Sequence, residues 1–171
     1  DKLNLKAPTN IDEFEKVIAA FTNDDPDGDG KQDTYGFDFS GKDSYNTGWV
    51  SDPVMIFSAY TGKSLPGQWY DDNGKLTYGS VADGTKDALA KLRDWYSKGY
   101  LNKELATQGA WDALADFTEG KAGIIIGRPW LYDSVKDVET NVKGAKISAY
   151  PTINAVNGDK TYQAGQLNDG V

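Results

Sequence analysis

The chain has 171 residues, 39% of them hydrophobic, enough to bury the core of one domain of ordinary size. A formal net charge of -8 and a pI near 4.5 exclude a nucleic-acid surface built on clustered Lys and Arg, and no apolar run approaches the ~20 residues of a membrane span. Cysteine and histidine are absent, which excludes the usual zinc site, a catalytic thiol and any Ser-His-Asp triad.

The opening DKLNLK, without an initiator Met, and the closing QAGQLNDGV predict a segment of a longer, exported protein. The first helix is marked by Pro8 in the approach, Asn10 as N-cap and Glu13 completing a capping box. Ile11, Phe14, Val17, Ile18 and Phe21 recur at helical spacing and predict a core-facing stripe.

The helix runs into DDPDGDGKQDTYG, residues 24–36. Counted from Asp25, carboxylates stand at positions one, three, five and nine, as Asp25, Asp27, Asp29 and Asp33, with Gly30 at position six and the Lys31 carbonyl at position seven. Such a cluster repels itself unless a cation intervenes. Calcium collects six to eight oxygens at about 2.3–2.6 Å, and this alternation lets successive side chains converge on one ion. Position twelve, a bidentate Glu in an EF-hand, is Gly36 here. The pattern therefore predicts a structural calcium loop between a helix and a strand, without the EF-hand helix pair.

Tyr35, Phe37 and Phe39 then alternate with Gly36 and Asp38 as a strand. A short apolar helix is predicted over 53–60, and Asn73-Gly74 inside QWYDDNGKLTYG predicts a two-residue hairpin. A second long helix spans about 83–97, with Ala88, Leu89, Leu92, Trp95 and Tyr96 as its apolar stripe and Gly99 just past its end. A shorter helix over 110–119 precedes AGIIIG, 122–127, whose unbroken apolar run predicts a strand covered on both faces. Leu131, Val135, Val138 and Val142 predict another helix, and 146–150 a last strand. Helices alternating with short buried strands specify an α/β layered fold, a single lobe over 1–171.

Read in order, LNLKAPTNIDEFEKVIAAF, DPDGDGKQDTYG, WYDDNGKLTYG, ALAKLRDWYSKGYLNKEL and FTEGKAGIIIGRPWL resemble the extracellular solute-binding proteins (family 1 type) of bacterial ABC importers. Within that family they resemble the lipoprotein group that includes alginate-oligosaccharide binders, over most of residues 3–131. The resemblance implies a periplasmic-binding-protein-like (type II) fold of two lobes closing around a ligand, of which this chain is most of one lobe. It implies calcium held by Asp25, Asp27, Asp29, the Lys31 carbonyl and Asp33, although the family commonly has an acidic residue where Thr34 stands, so a water or the threonine hydroxyl completes the shell.

In that family aromatic rings stack on sugar faces while polar groups bond hydroxyls. Trp130 and Arg128, in the loop after the second predicted strand, are the first candidates, followed by Trp49 in NTGWVSD with Asp52 as a hydroxyl acceptor. Trp95 and Trp111 sit on helices and are assigned to core; Trp69 and Tyr70 could cover the hairpin sheet or line a cleft. The function implied is the substrate-capturing component of an ABC transporter, not an enzyme, binding an oligosaccharide or similar small solute and passing it to membrane permease subunits. Its implied place is extracellular, lipid-anchored to a bacterial membrane, or periplasmic. The alternatives are a calcium-stabilised carbohydrate-active enzyme, for which Asp112, Asp116 and Glu119 would be nominated, or a carbohydrate-binding module. Asp112 and Asp116 are more simply the solvated face of a helix, and long helices count against a β-sandwich module.

Overall fold

The computed structural model describes residues 3–42, 50–62 and 65–161. Helix α1 is Ile11–Asn23, and the Asn10 side chain accepts the Glu13 N–H. The reciprocal half of the cap lies one residue earlier than predicted, because the Glu13 carboxylate accepts both the Thr9 N–H at 2.8 Å and the Thr9 hydroxyl at 2.7 Å. Ile11, Phe14, Val17 and Ile18 are buried as their spacing requires.

Strands β1 (Tyr35–Asp38) and β4 (Ala122–Ile125) pair in parallel, with Tyr35 opposite Ala122 and Phe37 opposite Ile124. On the other side of β1, Phe37 bridges Leu101 in parallel, and the Gly36 and Phe37 N–H groups donate to the Tyr100 carbonyl. β1 does not alternate as predicted, since Gly36, Phe37 and Asp38 are all buried between neighbouring segments. Its register sets Gly36 beside Gly123, where α1 crosses: a Cβ on Gly36 would stand 2.1 Å from the Ile18 carbonyl oxygen, and one on Gly123 would stand 2.4 Å from the Phe21 ring.

Helix α2 (Val54–Thr61) is buried nearly all round, and α3 (Thr85–Ser97) ends with the Gly99 N–H on the Tyr96 carbonyl and the Tyr100 N–H on the Trp95 carbonyl, the paired closure expected at a glycine-terminated helix. Of the predicted α3 stripe, Ala88, Leu92 and Trp95 are buried, whereas Leu89 and Tyr96 are exposed. The apolar arc is therefore narrower than the composition of the helix. The hairpin β2 (Trp69–Asp72) and β3 (Lys75–Tyr78) forms as predicted, with positive φ at both Asn73 (55°) and Gly74 (87°), as a two-residue turn of this kind demands.

Two cores flank the parallel strands. The larger joins Phe14 and Ile18 of α1, Phe37, the buried side of α2, and Ala88, Leu92 and Trp95 of α3, with Ile124 and Ile126 packed against it. Phe14 meets Phe37 edge-on at 5.4 Å and Trp95 at 5.6 Å. The smaller joins Val50, Leu114 of α4 (Ala110–Thr118), Leu131 and Val135, with Ile125 against it. The isoleucine run is thus covered from two sides, although its residues remain half-buried.

Two expectations near the end of the chain fail. The single helix through Val142 is divided into α5 (Tyr132–Val135) and α6 (Val138–Asn141). The Glu139 and Thr140 N–H groups donate to the carbonyls of Lys136 and Asp137, three residues back, so the coil tightens between the two segments. Residues 146–150 form no strand: the Ile147 N–H donates to the Glu139 carboxylate, and Tyr150 is exposed. The chain then returns to the larger core with Ile153, tied by the Asn154 N–H to the Thr9 carbonyl and by the Val156 N–H to the Ala59 carbonyl.

Candidate functional site

Because β1 and β4 are parallel, both end on the same edge of the sheet, the place where open α/β sheets bind ligands. Three connections are laced together there. Val50 bridges Gly127, the Ser40 N–H donates to the Ser51 carbonyl at 2.8 Å, and the Ser51 N–H donates to the Ile126 carbonyl at 3.1 Å. Arg128 and a single 3-10 turn, Pro129–Leu131, follow at once, so Trp130 and Arg128 stand at the strand ends as the sequence predicts. The Trp130 ring is exposed and Arg128 is half-buried.

Asp52 is also at this edge, but it is buried and accepts the Val54 N–H at 2.9 Å, fixing the entry to α2. Trp49 lies outside the described residues. Ser51 was not singled out by sequence. Its backbone takes a left-handed φ of 51°, and its buried hydroxyl has no partner among the described residues. Strained backbone and unsatisfied buried polar atoms both concentrate at functional positions.

Behind the edge lies a polar floor. The buried Asp38 carboxylate accepts the Phe39 N–H at 2.9 Å and the Gln108 amide at 2.7 Å, while the Tyr35 hydroxyl donates to Asp116 at 2.6 Å. Asn102 donates to the Tyr35 hydroxyl, Gln108 and Asp116, and Lys121 pairs with Asp116 at 3.1 Å. Burial pushes the Asp38 carboxyl up to about 7, with the nearby Asp116 charge adding to it and the Gln108 hydrogen bond opposing it. Burial and the hydrogen bond to Asp116 likewise raise the Tyr35 phenol. Asp116 is thus part of this packed network, and Asp112 caps the start of α4 by accepting the Gly109 N–H at 3.0 Å.

The tryptophans divide differently from expectation. Trp95 is fully buried, as assigned, but Trp111 is 57% exposed. The apolar stripe of α4 runs through Ala110, Ala113, Leu114 and Phe117, and residue 111 falls outside it. That spacing was legible; the bulk of the residue pointed the other way. Trp69 is exposed on the hairpin, a sheet separate from β1 and β4, with its ring 5.0 Å from that of Tyr78.

In the acidic loop, one oxygen each from Asp25, Asp27 and Asp29 lie within 4.8 Å of one another. Two oxygens on one calcium ion are at most about 5 Å apart, so this trio fits the ion in both chemistry and spacing. Asp25 is the hub: its carboxylate accepts the N–H groups of Gly28 at 2.8 Å and of Asp29 and Gly30 at 3.1 Å. Burial works to raise the Asp25 carboxyl, but hydrogen bonds with Asp27 and with these N–H groups hold it below its ordinary value. The Lys31 N–H donates to Asp29 at 2.8 Å and its ammonium pairs with the same carboxylate at 2.6 Å, which lowers Asp29 and raises Lys31. Asp33 does not join the trio. The Thr34 hydroxyl donates to the Phe21 carbonyl at 2.8 Å.

No family model matches the chain. Over its full length it is 30% identical to the polygalacturonan/rhamnogalacturonan-binding protein YtcQ of Bacillus subtilis, of which it spans 32%. Over 72% of its length it is 30% identical to the fructooligosaccharide ABC transporter substrate-binding protein FusA of Streptococcus pneumoniae, of which it spans 22%. Other relatives are named lipoproteins. An HMO-binding, ABC-transporter-associated solute-binding protein from Bifidobacterium longum infantis superposes with a TM-score of 0.73 at 24% identity, over 92% of this chain and 32% of that one. An EF-hand mutant of S. pneumoniae FusA in complex with fructo-nystose gives 0.69 at 25% identity, over 93% and 30%. The alginate-binding protein AlgQ2 without calcium ion gives 0.52 at 26%, over 71% and 23%. The chain thus spans about a third or less of the proteins it matches. Those proteins are extracellular solute-binding proteins of ABC sugar importers, with a type II periplasmic-binding-protein-like fold, and they are not enzymes.

Proposed function

We propose that this chain is most of one lobe of the two-lobe substrate-binding component of an ABC importer, and that it captures an oligosaccharide without transforming it. The observation that carries this reading is the placement of Trp130 and Arg128 at the shared end of two parallel strands, in a chain whose relatives are named for binding sugar polymers and oligomers. The exposed indole offers an apolar, electron-rich face to a sugar ring, and the guanidinium offers several donors to its hydroxyls or carboxylate. The Ser51 hydroxyl, buried at the same edge, supplies a further polar group. Trp49 and Asp52 belong to the same proposed site. A second lobe would close over the opposite face of the sugar. Delivery is to ABC permease subunits, from a position outside the membrane on a lipid anchor; among the described residues no helix is long and apolar enough to cross a bilayer.

Calcium in the 24–36 loop is the second part of the proposal, held by Asp25, Asp27 and Asp29 with the Lys31 carbonyl and Asp33. The EF-hand named for FusA supports it, as does the fit of the aspartate trio. Bound there, the ion would supply the counter-charge that the Lys31 ammonium now gives Asp29.

Calorimetry on the whole protein with trigalacturonate, kestose and maltotriose tests the sugar reading. At least one should bind, and Trp130→Ala should weaken that affinity about tenfold or more without lowering the melting temperature. Failure to bind any sugar oligomer overturns the function, while unaltered affinity removes Trp130.

A further inference from the structure

We infer that Asp38, Tyr35 and Asp116 form a proton-held latch: a proton on the Asp38 carboxyl fastens the end of β1 to α4 through the Tyr35 hydroxyl, and its loss frees residues 102–118. The latch works whatever solute the strand edge binds.

Hydrogen-bond capacity places the proton. The Tyr35 hydroxyl lies 2.6 Å from Asp116 Oδ2 and 3.3 Å from Asp38 Oδ2, yet it has a single proton to give. The shorter contact takes it. Its two lone pairs remain: Asn102 Nδ2 donates to one at 3.1 Å, and Asp38 Oδ2 faces the other. Two oxygens without a hydrogen between them repel, whereas a protonated Asp38 donates there and completes the set. The rest of the Asp38 carboxyl is already matched, since Oδ1 accepts the Phe39 N–H at 2.9 Å and Oδ2 the Gln108 amide at 2.7 Å.

Charge points the same way. Asp38 is 1% exposed, and among the described residues no cation pairs with it. Lys121 sits on the other oxygen of Asp116, at 3.1 Å, and is shared with Glu119 at 2.7 Å. The remaining neighbours of Asp38 are uncharged: Asn102 and Gln108 before α4, Ile125 opposite it on β4, and Phe14 and Ile18 where α1 meets β1. A buried carboxylate beside a second one, with no counter-ion of its own, takes up a proton rather than stay charged.

Removing that proton leaves the Tyr35 hydrogen contested by two carboxylates and sets a second negative charge against Asp116. Gln108 and Asn102 tie the acids to the segment before α4, whereas β1 is held by neighbours on both sides, so the repulsion is relieved by moving 102–118. Burial lifts the Asp38 carboxyl to about 7, so the latch is shut below that pH and opens above it.

Infrared difference spectra of the whole protein between about pH 6 and about pH 8 test the proton. A protonated-carboxyl C=O band should be present at the lower pH, lost at the higher, and missing from Asp38→Asn. No such band in the wild type, or one that persists in Asp38→Asn, overturns the latch. Hydrogen exchange, corrected for the intrinsic pH dependence of the chemistry, tests the release. For a proton held in the shut state up to about 7, protection of the α4 amides should fall about tenfold from about pH 6 to about pH 8. That exchange should be indifferent to low urea, as a local opening is. Asp38→Asn keeps a donor for Tyr35 and should hold α4 shut at both pH values. Wild-type protection independent of pH overturns the release, as does exchange that follows urea, which would put the proton's effect in global unfolding. An equal loss in Asp38→Asn assigns the pH sensitivity to another group and overturns it too.

Discussion

Replacing Gly36 by alanine should be among the most damaging single-methyl changes in this chain. The new Cβ would lie 2.1 Å from the Ile18 carbonyl oxygen and 2.4 Å from the Ile18 Cα and Cβ, where real Cβ contacts essentially never fall below 3.0 Å. Backbone cannot rotate out of the way, so α1 must lift from β1 by roughly 1 Å, a gap that forfeits about a quarter to a half of the dispersion energy at each contact it opens. Those contacts include Phe14 on Phe37 and Ile18 in the larger core. Overpacking of this kind costs about 1–3 kcal/mol, and a backbone-on-backbone clash belongs at the top of that range.

Two other glycines calibrate the experiment. Gly123→Ala would meet Phe21 at Cγ (2.4 Å), Cδ1 (2.5 Å) and Cβ (2.9 Å), a side chain rather than a backbone carbonyl, so about 1–2 kcal/mol is expected. Gly144, at φ 84° with open space around it, isolates the backbone penalty, again about 1–2 kcal/mol. Urea unfolding followed by near-ultraviolet circular dichroism should rank Gly36→Ala well below both. If Gly36→Ala were no worse than Gly144→Ala, the close crossing of α1 over the sheet would be refuted.

Stability should also depend on pH through Asp38. Its carboxyl rises from an ordinary 3.8 to about 7 on folding, so below pH 3.8 both states hold the proton and above it only the folded state does. Stability is then complete at the acid end and falls as pH rises towards about 7. Asp38→Asn should flatten that part of a urea-midpoint profile, and an unchanged slope would relieve Asp38 of the role. For the acidic loop, chelator should lower the melting temperature and calcium restore it, and Asp27→Ala with Asp29→Ala should reproduce the chelator effect. A melt indifferent to chelator would remove the metal from the proposal.

How much could be read from sequence follows how local each determinant is. α1, α3 and the Asn73-Gly74 hairpin are specified by caps, stripe and turn residues within a few positions, and all three appear where expected. Residues 146–150 have a strand's composition, but a strand requires a neighbour, and the Glu139 carboxylate takes the Ile147 N–H instead. The split of α5 from α6 left no mark in the apolar spacing, because Val135 and Val138, three apart, share one face of an unbroken helix as well. At the carboxyl end of the parallel strands, the positions of Trp130 and Arg128 were legible because they directly follow a buried strand. Ser51 was not, since its strain and its orphaned hydroxyl exist only once Ser40 and Ile126 clasp its backbone.

Gly36 shows why the acidic loop stops short of an EF-hand. Counting from Asp25, it occupies the twelfth place, where a glutamate would close the metal shell, yet it is buried in β1 against the backbone of α1 and has no room for any side chain. The same few residues pin the loop to both elements: the Gly36 N–H donates to the Thr22 hydroxyl at 3.0 Å, and the Thr34 hydroxyl donates to the Phe21 carbonyl. A ligand at position twelve and the tight α1–β1 crossing are therefore mutually exclusive, and this chain has the crossing. A cation bound by the aspartates would be gripped within residues 25–33, while the end of the loop beyond them is already fixed by packing. Calcium should then stiffen the turn without opening or closing a helix pair, and its removal should loosen residues 24–33 while leaving β1 in place. Hydrogen exchange can read that difference: protection at the Phe37 amide should survive chelation, and its loss would mean that the metal, rather than the glycine crossing, holds helix to sheet.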